Sequence, residues 1–200
     1  METFLRWYLP LFLLGYLLVT FVLPSWRVYR RTGINPVTFG SSDTAHDYIG
    51  KMMKVATALL VAVVLLYSVS PAVYRYVVPV EYLEGAGARV AGLLLLHASL
   101  IWIMVAQVQM RNSWRIGIDE KNRTELVTCG VFRYSRNPVF LGMLVSVLGV
   151  FLVLPSAGNL VVLAGTYLLI QIQIRLEEEY LTRQHGVDYK NYQKRVRRLV

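Results

Sequence analysis

The sequence predicts an all-α integral membrane protein with five transmembrane helices, the last two forming a C-terminal helical hairpin. Three observations lead there. The 200-residue chain is 56% hydrophobic, above the roughly 45–50% of a soluble domain. The excess gathers into five runs, each near the about 17–25 residues that a helix needs to cross a hydrocarbon core about 30 Å thick. Of the 21 Lys and Arg, only Arg6, Arg75 and Arg89 fall on one side if the runs alternate in direction. The rest share the other side, which the positive-inside rule makes cytoplasmic.

The first run, residues 4–23, is too long for the apolar part of a cleavable leader, and no small-residue cleavage site follows it, so it reads as a retained span. The second covers residues 53–70. Before it stands "DTAHD" (43–47), whose Asp-Thr has the form of a helix start; two carboxylates and a histidine at helical spacing leave a metal site as the alternative. The third run, 90–109, carries His97, Gln107 and Gln109, polar groups expected to bond to a neighbouring helix or to backbone. The fourth and fifth, 138–154 and 159–174, are joined by "PSAG" and are therefore an antiparallel pair.

No inter-span segment is long enough for a soluble domain of useful size. The chain reads as one membrane domain, with three spans in 1–112 and a polar, chemistry-bearing region in 113–200. The N-terminus is expected outside and the C-terminus in the cytoplasm. The net charge of +9 is then a matter of topology, and the basic tail "KRVRR" (194–198) fits anionic membrane lipids rather than nucleic acid. The single cysteine, Cys129, excludes an intrachain disulfide and any multi-cysteine metal site.

Two cytoplasmic segments carry the candidate chemistry. "TELVTCGVFRYSRNPVFLG" (124–142) leads into the fourth span. Asn137 suits the N-cap and Pro138 the first helical position. The free backbone N–H groups and positive dipole end beyond them attract a carboxylate. Gly130 permits a turn with unusual dihedrals just before the arginines Arg133 and Arg136. "QIQIRLEEEYLTRQHGVDYKNYQKRVRRLV" (171–200) leaves the fifth span. Three consecutive glutamates there are costly against lipid, so they lie beyond the interface or face a cation in a cavity. The hairpin brings both segments to the same side. Together they offer a carboxylate site at a helix start and an ammonium site at the glutamates, which fits a zwitterion such as S-adenosylmethionine.

"LVTCGVFRYSRNPVFLG" followed one helical hairpin later by "RLEEEYLTRQHGVDYKNYQKRV" resembles the isoprenylcysteine carboxyl methyltransferase family, integral membrane enzymes related to the phospholipid N-methyltransferases. The likeness covers roughly residues 114–200. It implies that Leu126, Val127 and Thr128 line the adenosine end of S-adenosyl-L-methionine, with Gly130, Phe132, Arg136, Asn137, Pro138, Phe140 and Glu178 completing the cofactor site. It places Glu177 and Glu178 on the family's Glu-Glu pair, and Gly186, Tyr189, Tyr192, Arg195 and Val196 on its tail motif. Asn137 stands where the family has histidine, and it can still donate and accept hydrogen bonds. Gln173 stands where eukaryotic members carry an arginine that meets the substrate carboxylate, which makes it the substrate-binding candidate. Arg175, two residues on, is on a different helical stripe.

Methyl transfer from a sulfonium is an in-line displacement, and its catalysis is mainly positioning. A carboxylate acceptor is already ionised at neutral pH. An amine or thiol acceptor needs a base, for which Glu177 is the candidate, with Arg175 as the accompanying catalytic residue. The expected partners are membrane lipids and a lipophilic small-molecule or lipid-modified acceptor. Two other readings stay open: an NADPH-dependent sterol reductase-like enzyme, and a non-enzymatic membrane scaffold.

Overall fold

The computed structural model describes residues 1–40 and 42–200, and among these the regular structure is helical. Helix α1 spans Glu2–Leu17 and runs through a π-helical turn, Leu18–Val22, into α2, Leu23–Thr32. The turn has a local cause. Pro24 has no N–H to give to Thr20, and the Gln107 side-chain amide donates to the Thr20 carbonyl instead, at 2.6 Å. α2 stops at Gly33, whose φ of 70° closes the end with a bond to the Tyr29 carbonyl.

Helix α3, Ala45–Val69, starts at Thr44, whose hydroxyl accepts the Asp47 N–H. "DTAHD" is thus an N-cap, and no metal-holding group of His, Cys, Asp and Glu occurs among the described residues. A four-residue α4, Pro71–Tyr74, follows, then α5, Ala86–Met110. His97 on α5 is exposed on the helix surface, yet both ring nitrogens are engaged: Nδ1 lies 2.7 Å from the Leu93 carbonyl and Nε2 lies 2.6 Å from the Tyr8 hydroxyl.

Helix α6, Pro138–Val153, and α7, Ala157–Arg195, form the expected hairpin. The Leu154 backbone leaves helical geometry ahead of Pro155. Ser156 then caps α7 by accepting the Asn159 N–H at 3.2 Å.

Four helical stretches are long and apolar enough to cross a membrane: Glu2–Thr32, Ala45–Val69, Ala86–Ser113 and Ala157–Arg195. The fourth apolar run of the sequence is shorter. α6 has 16 residues, about 24 Å of helix, against a hydrocarbon core of about 30 Å.

α6 lies between α5 and α7, and α3 packs on α7 and α1. Close approach of α5 and α6 depends on small residues, as is usual where lipid leaves no hydrophobic drive between helices. A Cβ on Gly92 would stand 2.7 Å from the Gly149 carbonyl, and one on Gly149 3.0 Å from the Gly92 carbonyl. Leu9, Val64, Leu96, Val150 and Val153 fill the core between these helices.

The 39 residues of α7 measure about 58 Å, roughly twice the hydrocarbon thickness. Its second half therefore projects beyond the apolar layer. It bends at Gly186, where φ 54° and ψ −120° are non-helical and open chiefly to glycine. The bend turns residues 187–195 back onto the start of α6. There the Tyr192 hydroxyl donates to the Phe132 carbonyl at 2.6 Å.

Candidate functional site

The site is assembled from the start of α6, the loop after α5 and the projecting half of α7. The α6 entrance is built first by Gln109, whose Oε1 accepts the Val131 N–H at 2.9 Å. Gly130, at φ 61°, lies so close to the Gln109 side chain that a Cβ would overlap it. This fixes the 3-10 turn Gly130–Arg133. Ser135, fully buried, follows and accepts the Asn137 N–H at 3.1 Å.

Asn137 occupies the N-cap position, but its side chain does not cap the helix. Its amide donates instead to the Arg198 carbonyl at 3.0 Å. Sequence logic placed the cap correctly and missed the tail, which competes for the same side chain.

Glu178 is buried and fully engaged. Arg136 Nε and Nη2 reach its Oε1 at 3.1 and 2.8 Å, and Arg198 Nε and Nη2 reach its Oε2 at 3.0 and 2.7 Å. Arg136 also donates to the carbonyls of Gln193 and Val196. This cluster ties the α6 start to α7 and to the tail.

Beside it lies an open cleft with mixed polar and apolar walls. Leu126, Val127 and Phe132 supply apolar wall; Arg136, Asn137, Asp119, Glu125 and Glu177 supply polar wall; Tyr180, Tyr189 and Tyr192 complete it. Six of the residues expected at the cofactor or catalytic site thus share one cleft: Leu126, Val127, Phe132, Arg136, Asn137 and Glu177.

A second cavity borders the first. It is lined by Phe140, Gln173, Met110, Arg115, Gly117 and Glu177, with Phe21, Met53 and Met143 deeper. The last three also line a third, strongly apolar cavity between α1, α3, α6 and α7, together with Leu9, Tyr16, Leu60 and Val147. Glu177 is therefore a wall of both the polar cleft and the chamber that leads among the helices. Its Oε1 accepts from Gln173 Nε2 at 2.9 Å. Gln173, which lines this second cavity, is almost fully buried, and its Oε1 has no hydrogen-bond partner.

The remaining expected residues lie elsewhere. Pro138 is buried, and its carbonyl accepts from Trp102 Nε1 at 2.9 Å. Thr128 and Gly130 are exposed and line neither cavity. Glu178 is spent on the two arginines. Arg175 is exposed and donates to the Gln171 side chain at 3.0 Å, away from both cavities.

Several residues of the cleft gave no sequence signal of their own. The loop after α5 is organised by Asp119, which accepts from Arg115 Nε at 3.0 Å, from Asn122 Nδ2, and from the N–H groups of Lys121 and Asn122. Burial acts to raise the Asp119 pKa, but the bonds from Asn122, Arg115 and Lys121 outweigh it and hold the carboxyl below its ordinary value. The Tyr180 hydroxyl donates to the Asp119 carbonyl, joining this loop to α7. The i,i+4 spacing of Arg115 and Asp119 was the available clue.

The sequence profile of the phospholipid methyltransferase family matches residues 87–188, from the start of α5 through most of α7. Comparison with individual curated proteins gives no match. The matched stretch contains the α6 entrance, the Asp119 loop and the Gln173–Glu178 face of α7. The chain therefore belongs to the phospholipid methyltransferase family, membrane methyltransferases related to the isoprenylcysteine carboxyl methyltransferases.

Proposed function

We propose that this protein transfers a methyl group from S-adenosyl-L-methionine to a lipophilic acceptor drawn from the membrane. The observation that carries the proposal is the shared wall: Glu177 lines both the polar cleft and the cavity that continues among the helices. A charged, water-borne donor and an apolar acceptor need compartments of opposite polarity that meet at one point.

The residues present fit the donor's chemistry. Leu126, Val127 and Phe132 offer apolar surface to a nucleoside. Glu177, with one oxygen held by Gln173 and the other without a bond, offers charge to a cationic centre. When bound, S-adenosyl-L-methionine supplies an electrophilic methyl group on a sulfonium. The chain's own contribution is alignment. Gln173 fixes the Glu177 carboxylate, and the Asp119 loop and the two tail tyrosines shut the cleft from the side, so reacting atoms are held in line. With an amine or thiol acceptor, Glu177 takes the proton that must leave. Gln173 lines the second cavity, and its buried, unpartnered Oε1 is the group assigned to the acceptor's polar end.

The same reading makes α6 a fifth, short span, puts the N-terminus outside, and puts the cleft in the cytoplasm beside the Lys- and Arg-rich loops. Saturable binding of S-adenosylhomocysteine to the detergent-solubilised protein, without binding of NADPH, is the expected result. Labelled-methyl incorporation into a panel of prenylcysteines, phospholipid amines and other lipophilic acceptors then identifies the acceptor. Binding of NADPH alone, or of neither ligand, would falsify the assignment.

A further inference from the structure

Outside the stretch matched by the family profile, one side chain reaches into the construction of the site. His46, in the first turn of α3, lies 72 residues from Ile118, and its Nε2 accepts the Ile118 N–H at 2.8 Å. A backbone N–H can only donate, so Nε2 carries no proton and the ring proton sits on Nδ1. Asp47 supports that tautomer, its Oδ1 being 3.3 Å from His46 Nδ1. The Asp47 carboxylate is held in turn by the Gly40 N–H at 2.8 Å and the Ser42 N–H at 2.9 Å. The ring is stacked on Phe39, with centroids 4.5 Å apart. Imidazole orientation is therefore set from two sides, by Asp47 and Phe39, before it meets the loop.

What it grips is the peptide following Gly117. Gly117 has φ 94°, a backbone region that side-chain-bearing residues rarely enter. A Cβ there would stand 2.7 Å from Thr38 Oγ1 and 2.8 Å from His46 Nε2. Thr38 holds the preceding residue by N–H and hydroxyl bonds to the Ile116 carbonyl, each 3.0 Å, while Ile116 N–H donates to the Pro36 carbonyl at 2.8 Å. Gly117 and Arg115 line both the polar cleft and the second cavity, as Glu177 does. The turn is thus the wall facing Glu177 at the place where the two compartments meet.

Building on the function proposed above, we propose that His46 is a positioning residue for methyl transfer: by accepting the Ile118 N–H it holds the Gly117 turn against the junction of the donor cleft and the acceptor cavity. It touches neither substrate. Its effect passes through the 115–119 backbone, whose far end is anchored to α7 by Tyr180 and Asp119.

The test uses full-length protein in detergent or nanodiscs with three forms: wild type, His46→Ala and His46→Gln. The glutamine side-chain oxygen can replace Nε2 as acceptor, whereas alanine cannot. Hydrogen exchange over the peptide containing Ile118 is expected to quicken roughly 5- to 10-fold in His46→Ala, the size of one lost hydrogen bond, and to return towards wild type in His46→Gln. The Kd for S-adenosylhomocysteine is expected to rise by a similar factor in His46→Ala and to recover in His46→Gln, with the α5 and α6 amides unchanged in all three. Equal Ile118 exchange in wild type and His46→Ala overturns the tether. Faster exchange with an unaltered Kd and an unaltered turnover overturns the positioning role. If the wild type binds no S-adenosylhomocysteine, the positioning role falls with the donor assignment, and the exchange contrast identifies that cause because the tether itself still reads as present.

Discussion

Arg136 and Glu178 are joined by two hydrogen bonds, from Nε at 3.1 Å and Nη2 at 2.8 Å, both to one carboxylate oxygen. The partners come from the α6 entrance and from α7, and both are largely shielded from solvent. The other oxygen of Glu178 is taken by Arg198. The second glutamate of the motif is thereby the structural bolt of the site, and the first, Glu177, is the one left facing the cavities.

Removing the charge at position 178 leaves two guanidinium groups facing an uncharged amide. Glu178→Gln is expected to destabilise the protein by about 3–5 kcal/mol, as for one partner lost from a buried pair. Thermal unfolding in detergent measures it. Arg198→Ala is expected to cost less than Arg136→Ala, because the Arg198 side chain is 39% exposed and that of Arg136 only 9%.

Glu177→Gln keeps the shape of the wall and abolishes its charge. With an acceptor that must lose a proton, single-turnover methyl transfer is expected to slow by about 10²-fold or more. Thermal stability is expected to stay near that of the wild type, unlike Glu178→Gln. Equal loss of stability in the two variants would show that the two carboxylates do not divide the work in this way.

Asp119 makes the cleft sensitive to acid. Its pKa is lowered in the folded protein, so the stability it contributes is present above the unfolded value, near 3.8, and is lost as pH falls through the still lower folded value. Asp119→Asn is expected to weaken S-adenosylhomocysteine binding at pH 7. The gap between variant and wild type is expected to close only below about pH 4. Binding titrations across that range are the check; a gap that closes already at pH 6 would assign the effect to another group.

At the crossing of α5 and α6, Gly149→Ala puts a methyl group 3.0 Å from both the Gly92 carbonyl and Leu96. Overpacking of this kind costs about 1–3 kcal/mol. Gly165→Ala, on α7, meets nothing within 4 Å and is the neutral control, expected to leave the melting temperature unchanged or slightly higher.

Hydropathy made the helices legible, because a run of apolar residues is nearly sufficient to make a membrane-type helix. Motif order made the cleft legible: Leu126, Val127, Phe132, Asn137 and Glu177 are brought together as their positions imply. Three things were not readable. The partners of Glu178 depend on a tail returning through the Gly186 bend, and no local pattern encodes where such a bend aims. Arg175, expected as a catalytic residue, turned instead to Gln171, because the cation beside Glu178 is supplied by Arg136 from the α6 entrance. The role of His46 depends on a contact across 72 residues with a backbone group, which carries no sequence signature at all.

Under the function proposed above, Glu177 divides a wet chamber from an oily one, and the two reactants would not queue at the same door. Each would be seated while its neighbour is vacant, the spent nucleoside leaving into water and the methylated lipid slipping back sideways. Initial-rate plots against either reactant are then expected to intersect rather than run parallel, the kinetic mark of a complex in which both are present at once.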